Sequence, residues 1–172
     1  MSTQTSPPAR VALSRPARRV ALVVHIVASG AWLGLEIALG ALVLAALATD
    51  DPMREAAVLQ AIEVVAVGPM IAAGALTLVS GIVLGLGTKW GLLRYRWVAV
   101  KLVLNVVLLV LVLVALRPGA AEVAETGRAL AAGTASERGP GDLVFPPIVS
   151  TIALSFAITL SVVKPWGRLR RG

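Results

Sequence analysis

Few residues in this chain have the type and placement to do chemistry. Three ionisable side chains, His25, Glu36 and Lys101, stand inside long apolar runs, and His25 is the single histidine of the chain. One histidine excludes a multi-histidine metal site. The absence of cysteine excludes disulfides, thiol catalysis and thiolate ligands. No Gly-rich phosphate loop or nucleophile elbow is present, and Gly85-x-Gly87 closes an apolar run without the strand that a dinucleotide fingerprint needs. What remains is the chemistry of single polar groups in an apolar medium, where each one calls for a partner or a function.

On the first apolar run these groups form a pattern. At 100° per residue His25, Ser29, Trp32, Glu36 and Gly40 fall within an arc of about 60°, so one polar and aromatic stripe is expected to face other helices. Depth follows from a helical rise of ~1.5 Å per residue. Glu36, Thr77 and Ser155 come out roughly 15 to 20 Å from one side, and with Ser29 and Trp32 they are expected to form an intramembrane polar layer. His25, Ser80, Lys101 and Thr159 come out about 6 to 9 Å from the other side, with Asn105 one turn deeper than Lys101. These residues have plainer readings as well. Lys101, one turn inside Trp97, can snorkel to the headgroups, and His25 can be a neutral imidazole bonded to a hydroxyl or carbonyl. Glu36 has no snorkelling route and is expected to be protonated or hydrogen-bonded.

The elements that position these residues follow from hydropathy. With 58% hydrophobic residues in 172, the chain exceeds what a soluble core requires. Four apolar runs, at 20–47, 64–86, 97–116 and 145–163, each reach the roughly 20 residues that cross a ~30 Å hydrocarbon layer. The expectation is an all-α, four-helix transmembrane bundle over 20–163. Flexible basic tails flank it at 1–19 and 164–172, and 117–144 forms an extracytoplasmic loop that is mobile or holds one short helix around 120–132. The small-x-small sequence Ala46-Leu47-Ala48 is not read as a signal-peptidase site, because the run before it is too long and contains His25 and Glu36.

Charge orients the bundle. Arg10, Arg15, Arg18, Arg19, Lys89, Arg94, Arg96, Lys164, Arg168, Arg170 and Arg171 flank one side, whereas only Arg54, Arg117, Arg128 and Arg138 flank the other, together with eight of the nine acidic residues. Positive residues are retained in the cytoplasm, so both termini are expected inside and the protein in the inner (cell) membrane. Trp90, Trp97 and Trp166 fall at the cytoplasmic boundaries, where indole favours the headgroup layer. The net charge of +7 then answers to anionic lipid rather than to nucleic acid. Gly30/Gly34 and Gly81/Gly85 are Gly-x-x-x-Gly pairs, read as contacts inside the bundle more readily than as a dimer seam. Thr151, Ser155 and Thr159 make a hydroxyl stripe expected to bond between helices.

Two spacings add a resemblance: His25-Ile-Val-Ala-Ser-Gly-Ala-Trp32, and Trp97-Val-Ala-Val-Lys101-Leu102. With Pro69 and Gly81, these resemble the HemJ-type protoporphyrinogen oxidases and their CopD-like relatives. The whole helical region, including Gly85 to Trp97, is similar to an uncharacterised family of bacterial predicted integral membrane proteins. The resemblance to the oxidases implies a b-type haem at His25 and an activity-linked role for Lys101. The chain departs from them at Ala99, where they carry a further histidine, and around Ile37, where they carry Leu-Pro-Arg. Two functions follow as expectations. One is a non-enzymatic scaffold, partner-binding or small transport-related component, alone or as a homo-oligomer, with Glu36 as a gating or proton-linked group. The other is a membrane redox accessory holding b-type haem or quinone through His25, Lys101 and Asn105.

Overall fold

The computed structural model describes residues 13–88, 91–134 and 139–164. The outer parts of both basic tails, and with them Lys89, Trp90, Arg138 and Trp166, lie outside the described residues. Helix α1 (Arg15–Leu47) opens on Ser14, whose hydroxyl accepts from the Ala17 N–H at 3.4 Å, and has Pro16 in its first turn, where no backbone donor is needed. Asp51 caps α2 (Pro52–Ala66) by accepting from the Met53 N–H at 3.0 Å. The rod is interrupted at Val67, because Pro69 in the first turn of α3 (Gly68–Leu86) has no N–H for the ladder. Helix α4 (Arg96–Leu111) passes through a π-helical turn (Val112–Leu116) into α5 (Arg117–Ala131). A 3-10 turn (Gly141–Val144) then leads into α6 (Phe145–Val163), which begins with Pro146 and Pro147 and ends on left-handed Lys164, φ 49°.

Four stretches are long and apolar enough to cross a membrane: Arg15–Leu47, Pro52–Leu86, Arg96–Ala131 and Gly141–Val163. The protein is a multi-pass, all-α membrane protein. Around the bundle α1 packs on α3, α3 on α4, α4 on α6 and α6 back on α1, which closes a four-membered ring. Helices α2 and α5 stand past the end of this ring and pack chiefly on each other. That end carries Asp50, Asp51, Glu122 and Glu125 and is called the acidic end below; α1 starts and α6 finishes at the opposite, basic end.

The apolar core is concentrated toward the acidic end. Leu39, Val43 and Ala46 of α1 meet Leu59, Ile62 and Ala66 of α2, Met70 of α3, Val112 and Leu116 of the π turn, and Ala120 and Val123 of α5. A belt of exposed apolar side chains, among them Val23, Ile37, Val79, Val107, Val110, Ile152 and Phe156, surrounds the ring and suits a lipid face.

The charged segments flanking the second and third spans are helical, not loops. The second span was expected to start near Val64, yet the helix begins at Pro52; α5 covers the expected short helix but grows directly out of the membrane span. Packing explains this. A Cβ on Gly127 would lie 2.8 Å from the Ala56 carbonyl oxygen and 3.0 Å from Leu59 Cβ, so α5 runs against the backbone of α2. Glu55, 2% exposed, accepts from the Gly139 N–H at 2.7 Å and ties α2 to the segment entering α6. At the surface, Arg128 donates to Glu125 at 2.9 Å and to Glu63 at 3.4 Å. These bonds, Glu125 first, hold its guanidinium above the ordinary arginine value, although exposed pairs of this kind contribute little to stability.

Two packing expectations are corrected. A Cβ at Gly30 or Gly34 would meet nothing within 4 Å, so this pair faces away from the bundle, while Gly74 and Gly81 do receive α1. Ser155 and Thr159 are exposed, and the Thr159 hydroxyl donates to the Ser155 carbonyl of its own helix at 2.9 Å. Thr159 therefore bonds within its own helix, and no bond from this stripe to another helix occurs among the described residues.

Candidate functional site

Helices α1 and α3 are antiparallel, and two contacts set their register. A Cβ on Gly81 would be 3.2 Å from His25 Cε1, and one on Gly74 would be 3.0 Å from Trp32 Cη2. Glycine at both points lets the two rings lie on the backbone of α3. This register puts Ser29 beside Thr77 and Glu36 level with Met70. The polar stripe of α1 thus faces the interior: Trp32 and Glu36 are buried, and His25, Ser29 and Gly40 are half-buried, Gly40 against Pro147 of α6.

His25 is held by α3. Its Nδ1 lies 3.1 Å from the Thr77 carbonyl oxygen and 3.0 Å from Ser80 Oγ. A carbonyl can only accept, so Nδ1 carries the proton. Ser80 agrees with that tautomer, since its own hydroxyl is directed to the Leu76 carbonyl at 2.5 Å, leaving its oxygen to accept. The lone pair is therefore on Nε2, which makes no hydrogen bond among the described residues. Ser29 donates to the His25 carbonyl at 2.7 Å, within α1.

Lys101 does not simply snorkel. Its Nζ donates to Ser161 Oγ on α6 at 2.6 Å and sits 5.6 Å from the centre of the Trp97 ring, joining α4 to α6. Trp97 is itself buried against the bundle instead of standing in a lipid belt. The Ser161 hydroxyl in turn donates to the Ala157 carbonyl at 3.1 Å.

Between His25 and the acidic end the interior holds polar atoms without partners. Trp32 Nε1, both carboxyl oxygens of Glu36, Thr77 Oγ1 and Asn105 Oδ1 are buried and make no hydrogen bond. Trp32 and Ser150 are the polar side chains nearest in effect to the Glu36 carboxyl, but neither reaches hydrogen-bonding geometry. Glu36 is 1% exposed. Within the apolar runs 20–47, 64–86, 97–116 and 145–163 His25, Glu36 and Lys101 are the only ionisable groups. Buried polar groups nearly always have partners, so five such atoms in one small interior mark a site.

Of the expected polar layer, Ser29, Trp32, Glu36 and Thr77 point into the bundle and Ser155 does not; Asn105 faces inward one turn beyond Lys101. Ser150 and Ser161 were missed. They share one face of α6 with Pro147, Leu154 and Ala157, a spacing of three and four that signals the buried side of a helix. No group of three or more His, Cys, Asp or Glu residues suited to a metal ion occurs among the described residues. No protein-family model, no curated protein and no solved structure matches the chain.

Proposed function

We propose that the protein is a non-enzymatic, transport-related component of a bacterial inner membrane, with both termini in the cytoplasm, in which Glu36 takes up and releases a proton inside the bundle. The supporting observation is the Glu36 carboxyl: 1% exposed and unpartnered at both oxygens. An isolated carboxylate is too costly to bury, so such a group cycles between a neutral form and a form met by water or a cation. The Lys and Arg asymmetry supports the orientation. The test uses the full chain in sealed phosphatidylethanolamine–phosphatidylglycerol vesicles, with an internal pH dye and a potassium diffusion potential driving protons inward. Parent protein should acidify the lumen faster than Glu36→Gln; equal rates would refute the reading.

His25 supports a second reading, redox binding. Donation of Nδ1–H to a backbone carbonyl is the outer bond that orients a metal-ligating imidazole and leaves Nε2 for the ligand. His25 would hold a b-type haem through Nε2, or would accept a quinol hydroxyl there, and Lys101 would meet a propionate or carbonyl. Haem would supply one-electron chemistry when bound. Met70, level with Glu36, is too far along the bundle to join His25 in holding it. Reduced protein purified from haem-replete cells should then show b-type bands that His25→Ala removes; folded, monodisperse, haem-free protein would eliminate this reading.

A further inference from the structure

The unpartnered atoms are not scattered. Side chains on a helix lean toward its N-terminus. Glu36 and Trp32 of α1 therefore lean toward the basic end, whereas Thr77 of α3 leans toward the acidic end. The Thr77 hydroxyl is thus turned toward Trp32 and Glu36, while its carbonyl holds His25 Nδ1 at 3.1 Å. Asn105 approaches the same level from α4, because Leu109, one turn further along, already touches Gly74 beside Trp32. Along α1 the distance from Glu36 to His25 is about 16 Å. The levels within it have buried polar atoms in need of a bond, Trp32 Nε1 and then Thr77 Oγ1 with Asn105 Oδ1, and the far end is the half-buried His25, whose Nε2 carries the lone pair.

In the other direction the interior is apolar. Leu39, Val43, Ile62, Met70, Val112 and Leu116 close the bundle between Glu36 and the acidic end, each 3% exposed or less. Beyond Ser150, level with Glu36, these side chains offer a proton no hydrogen-bonding group on that side, whereas the other side has several.

We infer that Glu36 is connected to the basic end alone, through a short file of water molecules held by Trp32, Thr77 and Asn105 and ending at His25. This inference rests on the proposed proton-carrying role of Glu36. The chemistry balances without any redox partner. Glu36 O–H gives its proton to the adjacent water, which hands on one of its own; the Thr77 hydroxyl accepts one proton and releases another; the last water protonates His25 Nε2. Trp32 can only donate and Asn105 Oδ1 only accept, so these two position the waters and Thr77 relays. Buried waters of this kind make about three hydrogen bonds each to groups otherwise unsatisfied. The apolar plug closes the acidic side in this conformation, so the net proton passage read in the vesicle assay requires the plug to open in turn.

The test follows the carboxyl C=O stretch that Glu36→Gln removes, in infrared spectra of the full chain in phosphatidylethanolamine–phosphatidylglycerol vesicles, and times its downshift after transfer to D2O. Thr77→Val and Asn105→Leu should each slow the exchange by about tenfold or more, Thr77→Ser should restore the parent rate, and Ser155→Ala, on the exposed face, should leave it unchanged. Parent-like exchange in both Thr77→Val and Asn105→Leu would overturn the one-sided file while leaving the proton-carrying role intact. Equal slowing by Ser155→Ala would overturn it as well. Absence of any Glu36→Gln-sensitive carboxyl band across the pH range would remove the role itself and the file with it. Should Thr77→Val fail to fold, Asn105→Leu and Thr77→Ser decide the matter.

Discussion

Glu36 and Gly81 show how single positions govern this interior. The Glu36 carboxyl has no bonded protein partner for an amide to lose, so Glu36→Gln should accumulate and melt like the parent. Glu36→Lys brings a charge with no opposite partner at that level, at a cost of about 2.5 to 3.5 kcal/mol on insertion scales, and should reduce membrane accumulation. Quantitative blotting and thermal melts in detergent check both; two parent-like variants would mean that Glu36 meets bulk water. The inward stripe of α1 was legible because helical periodicity acts on every residue alike. The partners were less so. A Gly-x-x-x-Gly pair states that a close approach is allowed, not which face is turned inward, and Gly30/Gly34 are open while Gly81 receives His25. Hydroxyls mislead for another reason: Ser and Thr can bond the carbonyl one turn back, so a stripe of them implies no partner helix.

At the level of helices, hydropathy located the membrane crossings and missed what extends them. Residues 52–63 and 117–131 carry enough charge to read as loops, yet each continues a membrane helix because the two pack against one another. Gly127 is where α5 comes against the backbone of α2. Adding a side chain there forces the two backbones apart, and Gly127→Leu should destabilise the protein by about 1 to 3 kcal/mol through overpacking. Gly34→Ala adds the same kind of atom on an open helical face and should be neutral or slightly stabilising. A melt of the two variants side by side checks this; similar losses in both would show that Gly34 is covered by a neighbour in the membrane.

For the whole molecule, four crossings return the chain to its starting side, so one measurement tests the ring of spans and the orientation together. A reporter active only in the periplasm should be silent after Arg19, Arg96 and Gly172 and active near Asp51 and Ser136. Activity at the C-terminus with silence after Arg19 would break the four-span count. Activity at every site expected to be silent, with silence at the others, would keep the count and invert the charge argument.

The π turn at Val112–Leu116 has a consequence for how this chain tolerates change. The turn lies where a continuous rod stops serving the ring and starts serving α2, and its wider winding works as a phase shifter between two otherwise regular screws. Each residue of an α-helix advances the azimuth by about 100°. Loss of the outward-facing Val114 would therefore leave the hydrophobic length of the span nearly intact while swinging α5 by roughly a quarter turn, carrying Gly127 off α2 and Arg128 away from Glu63. Substitutions at the outward-facing Leu113 and Val114 are cheap and length changes are not: the number of residues from Val112 to Leu116 sets the angle between the two halves of the rod.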